Sequence, residues 1–268
     1  MAEPGGREAA RRRAERIFSE AAREGSLGNV RRDLFELAAL LGREPQLRKS
    51  LSDVGIPGDV KGALLGDLLS DRVDPRALTL LESLVADDAL SWRLLPLLEE
   101  LAIEAVFAET DADGTLGDVE DELFRFDRLL ESQPRLRSAL GDPVLPDENK
   151  RALVDDLLKD RASDATVTLV HVAISRPGDP VNRIQALADR AAARRDRVLV
   201  EARTAVELDD ERRDRLAEAL SHAAGRQVDL EVVVDPSVVG GVVARIGDEL
   251  IDGTVRRKLE LALEEMTA

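Results

Sequence analysis

Residues 34–72 read LFELAALLGREPQLRKSLSDVGIPGDVKGALLGDLLSDR, and residues 123–161 read LFRFDRLLESQPRLRSALGDPVLPDENKRALVDDLLKDR. The two segments align without a gap at a spacing of 89 residues, and 18 of their 39 positions are identical. In both segments, leucines recur at helical spacing. A proline also precedes a lysine, Lys61 or Lys150, and a leucine-rich stretch, as proline does in the first turn of a helix. Solenoid repeats span roughly 20 to 50 residues, so this spacing predicts a duplicated helical domain.

The alignment extends toward the N-terminus, where Phe18 and Gly25 match Phe107 and Gly114. The repeat therefore includes a first helix, which we predict over residues 8–24. Residues 96–109 close the first copy and also open the second, so we expect the two bundles to share a nearly continuous helix. The other helices are predicted at 58–70, 75–88 and 91–110 in the first copy, and at 147–159, 164–175 and 181–195 in the second.

After Arg197 the hydrophobic period changes from that of a helix to that of a strand. Val198 to Val206 alternates apolar and polar residues, and the same alternation predicts strands at 230–234 and 242–246. Between the first two strands, Asp209 or Asp210 is expected to cap a helix that Gly225 ends. Residues 248–253 predict a turn and a short strand, and residues 255–266 a closing amphipathic helix.

The predicted fold class is mainly α, with two tandem helical bundles followed by a small C-terminal α+β domain. The boundaries that we predict are 1–95 for the first bundle, 96–196 for the second, and 197–268 for the C-terminal domain.

Composition restricts the partners and the compartment. The chain of 268 residues carries a formal net charge of −16, which argues against nucleic acid and against direct binding to an anionic membrane. It has no cysteine, so there is no disulfide framework and no thiolate chemistry, and the cytoplasm is the expected compartment. No apolar run approaches the ~18 residues that a membrane helix requires, so we expect a soluble chain.

One segment has the spacing of a calcium-binding loop. Residues 109–120 place acids at positions 1, 3, 5, 10 and 12 of an EF-hand pattern and Gly114 at position 6. Position 1 is Glu109 rather than aspartate, no second loop accompanies it, and the equivalent residues 20–31 lack the aspartates. A calcium-responsive regulator therefore stays a less favoured alternative, and we assign no metal site.

Other motifs of catalysis or cofactor binding are missing from the sequence. His171 and His222 lie far apart, and no nucleophile elbow, phosphate-binding loop or dinucleotide fingerprint is present. Gly240 and Gly241 could form an anion-binding nest, but a bulge or a close backbone approach is the favoured interpretation. We expect Trp92 in the core, with an anchoring role at a partner interface as the alternative. The chain is therefore predicted to be a non-catalytic protein without a cofactor.

A resemblance to a known family lies in residues 234–259, which read VDPSVVGGVVARIGDELIDGTVRRKL. This segment resembles the C-terminal signature of the delta subunit of F-type ATP synthases, the family of the oligomycin-sensitivity-conferring protein. Ala244 departs from it, because the family usually has a bulkier aliphatic residue there. Residues 100–268 are similar to an ordinary delta chain, so the whole chain resembles a long form with a duplicated N-terminal domain. The signature residues are Asp235, Gly240, Gly241, Gly247, Asp248, Asp252, Gly253 and Arg256.

The resemblance implies a peripheral-stalk, or stator, subunit of the proton-translocating ATP synthase. In that family the helical domain binds N-terminal helices of the alpha subunits, and the C-terminal domain binds the end of the b-subunit stalk. The implied location is the cytoplasmic face of the cell membrane, reached through the complex without direct insertion. Which of the two bundles binds the catalytic head stays open. The alternative is a helical adaptor or scaffold of another multisubunit complex.

Overall fold

The structure is a computed structural model that describes residues 6–176, 178–196, 198–225, 227–238, 240–246 and 249–252. The chain forms two compact units, Met1–Ala191 and Ala192–Ala268. The first unit contains the duplicated helical part, and the second contains a small sheet.

Twelve helices are described up to Arg195. The first seven are α1 (Gly6–Arg23), α2 (Leu27–Arg43), α3 (Pro45–Ser52), α4 (Gly58–Leu69), α5 (Pro75–Ala86), α6 (Asp88–Ser91) and α7 (Leu94–Ala112). The next five are α8 (Leu116–Ser132), α9 (Pro134–Gly141), α10 (Asp147–Leu158), α11 (Asp164–Ile174) and α12 (Pro180–Arg195). Helices α2, α3 and α4 begin and end 89 residues before α8, α9 and α10, so the duplication predicted from the sequence is confirmed in three dimensions.

The same local signals shape both copies. Gly25 and Gly114 both have positive φ values, +67° and +72°, which let the chain turn sharply after α1 and α7. Pro57 and Pro146 both precede a helix in an extended conformation, with φ of −56°. The two copies therefore share the backbone conformation at these positions as well as the hydrophobic pattern.

Two hydrophobic cores are present in the helical unit, and α7 contributes to both. Leu97, Leu101 and Ala105 belong to the core of the first bundle, whereas Ile103 and Phe107 belong to the core of the second. The shared helix predicted from the sequence is thus confirmed. The boundary placed between residues 95 and 96 falls inside this helix, so the division into three domains remains a proposal.

The second unit is a four-stranded sheet with one described helix. Its elements are β1 (Val198–Thr204), α13 (Asp210–Ala224), β2 (Val228–Val234), β3 (Val242–Ile246) and β4 (Glu249–Asp252). The strand order is β2-β1-β3-β4, with β1 and β2 parallel and the other pairs antiparallel. Asp209 caps α13 by accepting a hydrogen bond from the Arg212 amide at 2.8 Å, as predicted.

Among the described residues of the sheet unit, four form a buried hydrophobic core. Val200, Leu220, Val228 and Ala244 are buried together between the sheet and α13. The short side chain of Ala244, which departs from the family pattern, is 1% exposed. The predicted closing helix at 255–266 lies outside the described residues.

Candidate functional site

The signature acid Asp235 organises the turn that leaves β2. Its amide donates to the carbonyl of Thr204 at 2.8 Å, and its carboxylate accepts from the amide of Ser237 at 2.9 Å. Hydrogen bonds from the Ser237 side chain and amide lower the pKa of Asp235, and the nearby Arg203 adds to this effect. Asp235 is therefore a charged turn residue rather than a candidate proton donor.

The glycine pair follows this turn and leads into β3. Gly240 and Gly241 have φ values of +66° and +83°, a conformation that other residues adopt at a cost. The amide of Gly240 donates to the carbonyl of Val238 at 3.1 Å, so this amide is not available to an anion. Positive φ accounts for glycine at both positions, while the bulge or close backbone approach that the sequence favoured stays a prediction.

Four signature residues meet at one end of the sheet. Thr204 at the end of β1 pairs with Val242 at the start of β3, directly after the glycine pair, and Val243 pairs with Asp252 at the end of β4. Asp235, the two glycines and Asp252 thus share this end. Gly247, Asp248, Gly253 and Arg256 lie outside the described residues, so their predicted role stays a prediction.

The junction of the two bundles is built around a buried acid on α7. The Glu104 side chain is 8% exposed, and its Oε1 lies 2.6 Å from a guanidinium nitrogen of Arg190 on α12 and 3.6 Å from one of Arg11 on α1. One carboxylate therefore pairs with an arginine from each bundle. Three further acids of α7 form ion pairs with arginines: Glu100 with Arg7 on α1, Glu109 with Arg31 on α2, and Glu99 with Arg176 in the segment between α11 and α12.

Each bundle also buries the lysine of the repeat. Lys61 has a side chain that is 1% exposed, with its Nζ 3.5 Å from the carbonyl oxygen of Val85 and 3.9 Å from Asp88. The Lys150 side chain is 4% exposed, with its Nζ 3.9 Å from Asp147. These pairs are long for charge-assisted hydrogen bonds, so the ammonium groups are incompletely compensated.

A buried acid in the second bundle lacks a hydrogen-bond partner for one oxygen. Asp127 on α8 is 8% exposed, and its Oδ1 is unpaired among the described residues. Burial raises the pKa of Asp127, and the negative charge of Glu131 raises it further. No reactive group that the structure describes lies against it, so we assign it no catalytic role.

The expectation that Trp92 lies in the core is wrong, because Trp92 is 71% exposed. Helix α6 ends at Ser91, and Leu90 and Leu94 take the inward positions on either side. The indole Nε1 donates to the carbonyl of Ala89 at 2.9 Å, which satisfies its polar atom outside the core. The alternative of an anchor at an interface therefore stays open.

The acidic residues 109–120, on which the disfavoured calcium alternative rests, do not form a twelve-residue loop. Helix α7 continues to Ala112 and α8 begins at Leu116, so most of the acids lie on helices instead of a loop. Glu109 is paired with Arg31. No group of three or more potential metal ligands occurs among the residues that the structure describes. The acidic pattern is the end of one helix and the start of the next.

The two histidines are separate, as the sequence indicated. His171 on α11 has its Nε2 2.9 Å from Asp155, and His222 is exposed in the last turn of α13.

Within the described parts of the chain, no helix is long and apolar enough to span a bilayer.

Comparison with known proteins gives consistent matches. A family model described as "ATP synthase delta (OSCP) subunit" matches residues 9–92 and 103–266. The two matched segments begin in α1 and α7, the helices that occupy equivalent places in the repeat.

Individual relatives cover most of the chain. A protein named "ATP synthase subunit delta" from Parafrankia sp. (strain EAN1pec) is 42% identical over 88% of this chain and 85% of the relative. Proteins of the same name from Frankia alni and Streptomyces griseus are 42% and 38% identical, over 86% and 87% of this chain and 84% and 88% of their own lengths. On these matches, and on a sheet that places the signature turn at one end, the chain belongs to the ATP synthase delta (OSCP) subunit family.

Proposed function

We propose that this chain is a peripheral-stalk subunit of the proton-translocating F-type ATP synthase. It connects the catalytic head to the b-subunit stalk, so that rotation is coupled to ATP synthesis. The observation that carries the proposal is family membership over nearly the whole chain, at about 40% identity to relatives named as this subunit.

The physical properties of the helical unit suit a joint that carries torque. Two cores meet on one helix, and Glu104 pairs with an arginine from each bundle. Such a junction resists bending, because movement of one bundle against the other separates packed side chains and pulls the arginines away from the buried Glu104 carboxylate. A stator subunit requires stiffness and tight binding and needs no active site of its own.

The partners that we propose are N-terminal helices of the alpha subunits for the helical unit and the b stalk for the sheet unit. Attachment to the complex would hold the chain at the cytoplasmic face of the membrane without insertion. The high negative charge of the chain suits basic or apolar partner segments.

The test uses the purified full chain with the catalytic head and, separately, with the soluble part of the b subunit from the same organism. Calorimetry should give submicromolar binding to both. In membranes stripped of this subunit, its addition should restore ATP-driven proton pumping, while ATP hydrolysis by the isolated head should not depend on it.

The outcomes separate the candidate functions. Binding to neither partner would reject the stator role and favour a helical adaptor of another assembly. Binding to both without recovery of proton pumping would contradict the coupling role while leaving the joint intact.

A further inference from the structure

The first bundle exposes a group of aliphatic side chains on α4. Val60, Leu64 and Leu68 are 53%, 41% and 47% exposed, and their four-residue spacing places them on one side of the helix. Ala63 is exposed between them. We call these four residues the α4 face. A single exposed aliphatic residue is ordinary, but several together on one helix mark a surface that binds another molecule.

The other side of α4 makes the contacts with the bundle. Lys61, Leu65 and Leu69 are buried there, where α4 packs against α5. The hydrophobic core of the first bundle is therefore built without the α4 face. Apolar side chains on this face gain free energy of burial only when a partner covers them.

The second bundle has polar residues on the corresponding helix, α10. Three exposed polar residues of α10 have apolar or small counterparts on α4: Asn149 has Val60, Arg151 has Gly62, and Asp155 has Gly66. Arg151 lies 3.4 Å from the Ser175 hydroxyl and Asp155 lies 2.9 Å from His171, so α10 uses two of these positions to contact α11. The first copy has no such polar side chains at these places.

Two leucines are common to both helices, but their exposure differs. Leu153 and Leu157 on α10 are the counterparts of Leu64 and Leu68, and both are half-buried. The first copy therefore exposes more of the same leucines and surrounds them with apolar and small residues. The α4 face is a feature of the first copy alone.

The charge around the α4 face is negative. Asp59 and Asp67 on α4 are exposed, whereas Lys61, the single basic residue of this helix, has a side chain that is 1% exposed. The neighbouring charged residues are Asp53, Asp71 and Arg72 in the flanking turns, Arg76 and Glu82 on α5, and Asp88 on α6. Because Arg76 is ion-paired with Glu24, the acids outnumber the bases that could face a partner.

This charge decides between the possible occupants. A second copy of the chain, packed symmetrically through α4, would place the same acids on both sides of the contact, where they repel each other. An anionic lipid surface would be repelled in the same way. A helix with an aliphatic stripe and basic flanks is complementary to the α4 face in both polarity and charge.

We propose that the α4 face of the first bundle docks a basic amphipathic helix of another polypeptide. The aliphatic stripe of that helix packs on Val60, Leu64 and Leu68, and its lysines or arginines approach Asp59 and Asp67. The first copy thereby has a binding surface that the second copy lacks.

The test is a nuclear magnetic resonance titration of the full chain with a helical peptide of about 15 residues made of Leu, Ala and Lys. A matched peptide with Glu in place of Lys is the control. The expected result is amide shifts at Val60, Leu64 and Leu68 with the lysine peptide and none at these residues with the glutamate peptide.

Variants decide whether the α4 face is the site. Leu64→Gln combined with Leu68→Gln should weaken binding at these residues at least about tenfold, because it removes apolar contact area. Asp59→Asn combined with Asp67→Asn should also weaken binding and should reduce its dependence on salt. Val144→Gln is the matched control, since it removes an aliphatic side chain that is 85% exposed in the second bundle, and it should leave binding unchanged. Circular dichroism checks that each variant is folded.

Four results would overturn the proposal. Amide shifts confined to other parts of the chain would place the peptide elsewhere, and unchanged affinity in both double variants would show that the α4 face makes no contact. The absence of shifts at millimolar peptide would exclude the docking. A dimer of the full chain that Leu64→Gln with Leu68→Gln abolishes in sedimentation would make a second copy the occupant.

Discussion

The buried carboxylate at the junction of the bundles gives the sharpest test of the fold. Glu104→Gln removes the negative charge but keeps the shape of the side chain and one acceptor oxygen. Breaking a buried ion pair by removing one partner costs about 3–5 kcal/mol, and the retained amide should reduce this to about 2 kcal/mol. The Glu104 side chain is 8% exposed and pairs at 2.6 Å with Arg190, whose side chain is 33% exposed, so solvent screens the pair in part and the loss should lie below that of a fully buried pair.

Glu100→Gln is the matched control on the same helix. Glu100 pairs with Arg7 at 2.7 Å, but the two side chains are 29% and 59% exposed. Ion pairs of this kind contribute about 0–1 kcal/mol. The comparison therefore changes burial while it keeps the helix, the substitution and the type of partner.

Urea unfolding, followed by circular dichroism, measures the difference. For a loss of about 2 kcal/mol the midpoint of Glu104→Gln should fall by about 1 M, while that of Glu100→Gln should shift by much less. A double-mutant cycle with Arg190→Met should show a coupling above about 1 kcal/mol. If Glu104→Gln costs no more than Glu100→Gln, the reasoning about the junction is refuted.

Three further changes test other features of the structure. Lys61→Met should leave the free energy of unfolding unchanged or raise it by about 1 kcal/mol, because it removes a poorly paired buried ammonium group. A loss of several kcal/mol, measured by urea unfolding, would contradict this. Asp127→Asn should stabilise the chain at pH 7 but not at pH 3. The pKa of Asp127 is higher in the folded chain than in the unfolded chain, so above about pH 4 its ionisation favours the unfolded state. Equal effects of the substitution at both pH values would show that charge is not the cause. Gly241→Ala should lower the free energy of unfolding by about 1–2 kcal/mol, measured by thermal unfolding, because the φ of Gly241 is +83°. As a control, Gly117→Ala in α8, where a Cβ would meet no atom within 4 Å, should leave the stability unchanged or raise it.

The repeat made the helical part highly predictable. Two copies of one pattern report the same helix twice, and the shared helix followed from extending the register to Phe18 and Phe107. The strands of the sheet and the capped helix between the first two were also predicted, from alternating valines, but the strand order and the parallel pairing of β1 with β2 were not. The closing helix predicted at residues 255–266 lies outside the described residues and stays a prediction.

The wrong expectation for Trp92 and the loop-like spacing of residues 109–120 share a physical cause. A tryptophan is apolar enough for a core, but the end of a short helix decides which neighbour turns inward, and Leu90 and Leu94 did so instead of Trp92. The acids of residues 109–120 have loop-like spacing, but Gly114 turns the chain within so few residues that they fall on helices. Neither outcome can be read from composition, because each depends on where a helix ends.

Because α7 contributes side chains to both hydrophobic cores, it limits how this chain can be truncated. A deletion of residues 1–95 would strip the cover from Leu97, Leu101 and Ala105, so the shortened chain would carry a bare apolar stripe and would aggregate unless those positions were made polar. Loss of binding in such a truncation would therefore not assign a function to the first copy. The full chain avoids this exposure, because the last helix of the first copy is also the first helix of the second. A chain built in this way can grow by whole bundles without ever creating a flexible linker.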